Sequence, residues 1–433
     1  MHLKTKLYER LRERIEQIPV IDCHDHTTGV KGAPQWKEPI QSLIAGYFPA
    51  DLISAGGERS LQLLRDPEIS TEEKWPTFEK IWTRTEFTSY ARVPKLILKR
   101  FYDEEKMTLE ALLRIKDKLV QPTNETFYYD TLKKAGIRCR LVNICIDLKE
   151  YIEGRLTLPD VDRMLVPLPA FHSIRDFNSI HAITSIVGEH VTSLDEYLNC
   201  CQTIFEKMKA RGTIGMKDQS AYSRTIRFDP ATRSEAEALF NKIISNPRNA
   251  LGWPEAKPLD DYLFHCFMRS ARDLRWPLQI HTGHMAGNYN DIVKTNAALF
   301  TSVLELHREV QFDLFHGNWP YAGELLFMAK NFPNVHIDMC WVSFIDPVYS
   351  KSFLSQSLVT VPHKKIHGFG ADTGDMPEYI VAHLEISRDV VASALTEMVE
   401  KDWIDEGEAI RIATDWLFNN PNEFFKLGFE SIG

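Results

Sequence analysis

Apolar residues recur every fourth position at Leu3, Leu7, Leu11 and Ile15, the spacing that lines one face of a helix, so a helix is predicted over 3–17. A short apolar run over 19–24 follows and reads as a strand. From about 41 to 134 the pattern is mainly helical, with Trp36, Trp75, Trp82, Tyr90 and Phe101 spread through it and no strand apparent. After 134 the rhythm changes. Short β-rich runs at 138–146, 163–168, 212–217, 277–281, 311–316, 334–340 and 365–372 alternate with helical stretches. The clearest of these lie at 193–211, 233–245, 262–275, 291–309 and 322–332. Helices at 377–398, 406–417 and 421–427 finish the chain. Strands that alternate with helices predict a parallel sheet, and eight such units predict a closed α/β cylinder, a (β/α)8 TIM barrel. The barrel is expected from 1–28 and 135–433, with 29–134 a mainly helical insertion or lid. A doubly wound open sheet is the competitor; against it, no Gly-x-Gly-x-x-Gly follows the first strand.

The polar residues that end these strands carry the chemistry. In Val20-Ile21-Asp22-Cys23-His24-Asp25-His26 the two histidines are two apart, so His24 and His26 can aim both imidazoles at one point. Lys217 ends the fourth strand, His281 the fifth, His316 the sixth and Asp372 the eighth. In a barrel those carboxyl ends converge on one mouth, and polar groups ending buried strands are costly unless used. Imidazoles with a carboxylate suit a borderline divalent cation: zinc, or manganese or iron, as one or two ions. Tyr222 and Arg224 follow Lys217 on the same loop and His284 lies three past His281; all three are candidates for substrate contact. Asp22 is expected beneath the site and Asp25 in a structural role. His172 is a weaker candidate for pocket lining. His336 and His367 lie inside strands and read as satisfied core histidines, and Cys145 and Cys340 as core thiols.

Composition narrows the partners. Of 433 residues, 44% are hydrophobic and 26% charged, ordinary for a globular protein. The net charge of −9 argues against a nucleic-acid surface or an anionic membrane, but a local pocket can still hold an anionic small molecule. The seven cysteines are dispersed without a CxxC, which fits a reducing compartment, and neither a signal peptide nor a bilayer-length apolar run is evident; a cytoplasmic protein is expected. Self-association is left open, since barrels of this kind often pair.

The HxH on the first strand, His281, His316 and the Asp372 that ends the last strand together resemble the amidohydrolase superfamily of metal-dependent barrels. The resemblance implies that His24, His26, His281 and Asp372 bind metal, and that His316 binds a second metal or orients substrate. It also implies that Asp372 takes a proton from the attacking water. A strand-four lysine in binuclear hydrolases of the superfamily is carbamylated and bridges two metals; Lys217 either does that or stays an ammonium that grips a substrate carboxylate. The first expectation is therefore a hydrolase whose metal-activated water attacks a C–N or C–O bond of a small polar, anionic substrate. The segment Gln279-Ile280-His281-Thr282-Gly283-His284 with Asn288 and Asn290 resembles uronate isomerases, as does the tryptophan-bearing insertion. An aldose–ketose isomerase is thus the alternative, and a non-oxidative decarboxylase a less favoured third.

Overall fold

Eight strands follow one another around one sheet: β1 (Val20–Thr27), β2 (Ile137–Ile144), β3 (Asp162–Pro167), β4 (Gly215–Asp218), β5 (Leu278–Ile280), β6 (Phe312–Leu314), β7 (Val335–Asp338) and β8 (Ile366–His367). The structure, a computed structural model, describes residues 5–27, 30–144 and 146–433, so Leu3 and Cys145 lie outside the described residues. Every neighbouring pair from β1 to β8 is parallel. The seam between β8 and β1 is tied by two backbone bonds, Cys23 N to the Phe369 carbonyl at 3.0 Å and Asp372 N to the His24 carbonyl at 2.9 Å. The barrel is therefore nearly closed, as the alternating pattern predicts.

Strand alternation separates two environments. Val20, Met164, Val166, Met216, Leu278, Ile280, Phe312, Leu314, Val335 and Ile337 pack in the main core with the surrounding helices. A smaller cluster holds Ile21, Cys23, Cys139, Leu141 and Leu165 with Phe418, Phe424 and Phe425 of the C-terminal segment. The strands β5 to β8 carry Gln279, Asp313, Asp338 and His367, all fully buried. β1 is bulged: Asp22 pairs with Arg140 and Asp25 with Val142, three steps on one strand against two on the other. Arg140 is buried beside this bulge and pairs with Asp25 at 3.1 Å and Asp162 at 2.9 Å, which gives Asp25 its structural role.

Between β1 and β2 the chain forms the helices Pro39–Leu43, Pro49–Gly56, Glu58–Arg65, Thr71–Thr85, Ser89–Tyr102, Leu109–Ile115 and Glu125–Lys134. Their starts are locally encoded. Ser70 and Glu73 form a reciprocal capping box, and Thr88, Thr108 and Asn124 each accept a bond from a first-turn amide. Their apolar faces share one core with Phe315, Cys340, Trp341, Phe344, Met376 and Tyr379 from the loops after β6, β7 and β8. The insertion thus packs over the mouth of the barrel.

The expected continuous helix over 291–309 is broken. Two short 3-10 turns, Ile292–Thr295 and Ala297–Phe300, precede the helix Thr301–Leu306. Asn296 caps the second turn through Ala298 N, while Asn318 accepts from Ala297 N at 2.9 Å. Tertiary contact with the loop after β6 here outweighs the helical period.

Candidate active site

The mouth gathers side chains from β1 and the loops that leave β4, β5, β6 and β8. His24 and His26 stand on β1 with ring centroids 4.8 Å apart. Asp372 reaches them from beyond β8: its Oδ1 lies 3.0 Å from His26 Nε2 and 3.7 Å from His24 Nε2. One ligating atom from each of the three lies within 4.8 Å of the others. His316 approaches Asp372 Oδ2 to 4.0 Å, and with Cys340 and Asp372 it makes a second such group.

His281 and His316 are held in defined tautomers. His281 Nε2 donates to the His284 carbonyl at 2.6 Å, and His316 Nδ1 donates to the Cys340 carbonyl at 2.9 Å. The remaining nitrogens, His281 Nδ1 and His316 Nε2, therefore both present lone pairs, and they face each other across 3.3 Å. Two lone pairs at that distance repel unless a proton or a cation lies between or beside them. The donor set of neutral imidazoles and one carboxylate, on strand ends supported by backbone carbonyls, fits a divalent cation. His281 itself is not in the group formed by His24, His26 and Asp372; it meets the cluster through His316.

Charge is distributed unevenly here. Burial pushes the protonated forms of His24 and His281 down, with Lys217 adding to both. Burial takes His316 to about 3 and His284 to about 4. Burial opposes ionisation of Asp372, but the bond from His26 and the surrounding imidazoles hold its carboxyl well below the usual range. Lys217 is 1% exposed, and its Nζ has no hydrogen-bond partner among the described residues. That Nζ lies 3.1 Å from the centre of the Phe315 ring, and burial lowers its pKa to about 8.

The other expected residues divide. Tyr222 packs its ring against His281 at 4.9 Å, and its hydroxyl accepts from Ala286 N. His284 lies between Trp319 and Trp341, with the Tyr90 hydroxyl 3.3 Å from its Nε2. Gly283 makes this packing feasible: at φ +70° a Cβ would fall 2.5 Å from the Trp319 carbonyl oxygen. Arg224 does not join the cluster. Its guanidinium is engaged by Asp260 and Asp261 and stacks on Phe228 and Trp253. His172 is likewise taken up, by Asp218 at 2.7 Å. Asn288 and Asn290 bond to backbone carbonyls of Ala50, Met285 and Ala286 and so act as loop fasteners. Asp22 accepts from Ala371 N at 2.9 Å beneath the site, as expected.

Sequence reasoning missed the wall around this cluster. Tyr47 of the insertion stacks on Trp341 at 4.0 Å, and its hydroxyl donates to the Asp372 carbonyl. Cys340, expected as a core thiol, is fully buried but faces His316 and Asp372. His336 and His367 are not satisfied core histidines, because His336 Nδ1 and His367 Nε2 have no partner among the described residues. The aromatic content of the insertion was the available signal for Tyr47 and Tyr90; nothing in sequence pairs either with its target.

Known proteins resemble this chain in part and over its whole length. A family model described as amidohydrolase matches residues 231–391. The uronate isomerase of Thermotoga neapolitana is 20% identical over 98% of both chains. Protein fluG of Emericella nidulans is 27% identical over 223 residues, 49% of this chain, and the matched part spans 26% of that relative's length. The solved uronate isomerase of Thermotoga maritima shares the fold over 98% of both chains, with a TM-score of 0.77 at 16% identity.

Proposed function

We propose that the chain is a member of the amidohydrolase superfamily and a divalent-metal-dependent enzyme acting on a small, anionic hydroxy-carbonyl substrate, a reading supported by the family match over residues 231–391 and by the shared fold. The observation that carries this reading is the opposed lone pairs of His281 and His316 beside Asp372, with His24 and His26 on the carboxylate's other oxygen. His24, His26 and Asp372 would hold a cation, with His316 at a second position. When bound, the cation polarises a carbonyl or hydroxyl oxygen and lowers the pKa of the group it holds.

The protein's own groups supply the rest. Lys217, a buried cation with no hydrogen-bond partner among the described residues, binds the substrate carboxylate. Asp372, ionised and bonded to His26, accepts and returns a proton at its carboxylate oxygens. Tyr47, Tyr90, His284 and Trp341 form an aromatic wall that orients the carbon chain and limits water.

Of the reactions this arrangement can perform, aldose–ketose isomerisation of a hexuronate is our first reading. It is supported by whole-length likeness to uronate isomerases, a likeness that includes the insertion between β1 and β2. Such a reaction moves a proton between adjacent carbons and consumes no water. Hydrolysis of a C–N or C–O bond is the second reading, favoured by Lys217. With a pKa of about 8, part of its amine is free at neutral pH, the form that adds carbon dioxide to give a bridging carbamate.

The test is turnover of the metal-loaded chain on D-hexuronates, read as ketose formed, beside N-acyl and lactone substrates, read as acid released. Ketose formation that a chelator abolishes supports the first reading. Acid release together with a mass gain of one carbon dioxide on Lys217 supports the second. Inactivity on both panels with metal bound would sink the proposal.

A further inference from the structure

Beneath the mouth, a different set of side chains meets inside the barrel. Cys23 of β1, Asp338 of β7 and His367 of β8 are each fully buried, and one ligating atom from each lies within 4.8 Å of the others. None of the three belongs to the cluster of His24, His26, Asp372 and His316.

Two of these groups are held in place. Asp313 Oδ1 accepts from His367 Nδ1 at 2.9 Å, and Gln279 braces Asp313 through a 3.1 Å bond while also reaching the Cys23 carbonyl at 2.8 Å. A carboxylate on one imidazole nitrogen fixes the tautomer and turns the lone pair of the other outward, the arrangement found behind metal-ligating histidines. That other nitrogen, His367 Nε2, has no partner among the described residues. Asp338 is held from both sides: its Oδ1 accepts from Cys340 N at 2.7 Å, and its carboxyl, pushed toward the protonated form by burial and by Asp313, lies within hydrogen-bond reach of Asp313. A buried imidazole nitrogen without a partner is costly, and His367 Nε2 belongs to a trio whose ligating atoms lie within 4.8 Å of one another, a grouping an ion would satisfy.

We propose that Cys23, Asp338 and His367 form a second, internal cation site that takes a borderline divalent ion such as zinc. A thiolate and a carboxylate neutralise the ion, and the imidazole adds a third donor. The thiol and carboxyl protons leave to solvent as the ion enters. The three residues bridge β7, β8 and β1, the region where, among the described residues, two backbone bonds close the barrel. The ion therefore acts as a clamp on the seam.

Cobalt reports on this directly, because a thiolate ligand gives a charge-transfer band in the near ultraviolet. The full-length chain is stripped of metal, titrated with Co²⁺, and its bound metal counted by elemental analysis. The expected result is a band that Cys23→Ser abolishes, with loss of about one equivalent of cobalt per chain. His367→Gln weakens or removes the band without touching a thiol. Cys340→Ser and His24→Asn leave it in place, which separates this site from the mouth whatever reaction the mouth performs. A wild-type chain without the band at saturating cobalt overturns the proposal. So does a band that disappears with Cys340→Ser and survives Cys23→Ser.

Discussion

Asp372 concentrates the chemistry of the mouth, since it touches both β1 histidines and approaches His316. Asp372→Asn keeps the size and the left-handed backbone (φ 47°), which asparagine tolerates. It removes the carboxylate that carries the proton. Turnover should fall by about 10²–10⁴-fold while metal analysis still finds a bound ion. Lys217 separates stability from function. Its buried ammonium has no hydrogen-bond partner among the described residues, so Lys217→Met should leave the melting temperature unchanged or raise it. The same substitution should raise KM for a carboxylate substrate by about tenfold to a hundredfold. A lower melting temperature with unchanged KM would contradict the role given to Lys217.

At the scale of elements, the insertion is held on the barrel by an interface that contains a buried acid. Glu378, at the start of the helix Pro377–Glu400, is 2% exposed; Trp36 Nε1 reaches its Oε1 at 3.4 Å and its Oε2 has no hydrogen-bond partner. Burial pushes its pKa up from 4.5 to about 7. Between those values the folded chain binds more protons than the unfolded one, so stability falls as pH rises across that window. The loss is complete above about pH 7 and amounts to about 3 kcal/mol at most. Glu378→Gln should therefore raise the urea midpoint at pH 8 and change it little at pH 4.5; equal shifts at both values would rule out this account. The broken segment 291–306 carries the opposite lesson about elements. Its helical period is real, but Asn296 locally and Asn318 from the loop after β6 offer bonds to backbone amides that a continuous helix would forgo.

For the whole molecule, ion binding and folding are linked. The groups that would hold cations lie on β1, β7 and β8 and in the segments beyond β6 and β8, and they meet only when the seam is closed. A divalent ion that binds the folded chain alone should stabilise it by about 2.7 kcal/mol at a free concentration a hundred times its Kd. Thermal melts with and without chelator check this, and identical midpoints would argue against either cation site. No helix among the described residues is long and apolar enough to cross a membrane. The whole-length likeness is to uronate isomerases, and the substrate screen decides between isomerisation and hydrolysis.

What the sequence determined by itself was periodic or local. The β/α alternation follows from hydrophobic periodicity and the His24 and His26 pair from side-chain direction on a strand, both short-range properties. Lys217 falls on β4 and His281 directly after β5, while His316 and Asp372, expected to end strands, lie in the segments beyond β6 and β8. Capped helix starts in the insertion belong to the same class. Tertiary structure decided which groups have partners. Arg224 looks like a substrate ligand beside Lys217, yet Asp260 and Asp261, far along the chain, engage it. His367 looks like a satisfied core residue, yet Asp313 occupies only one of its nitrogens. Hydrogen-bond satisfaction is a property of space, set in these cases by residues 36 to 54 positions apart, and no pattern along the chain encodes it.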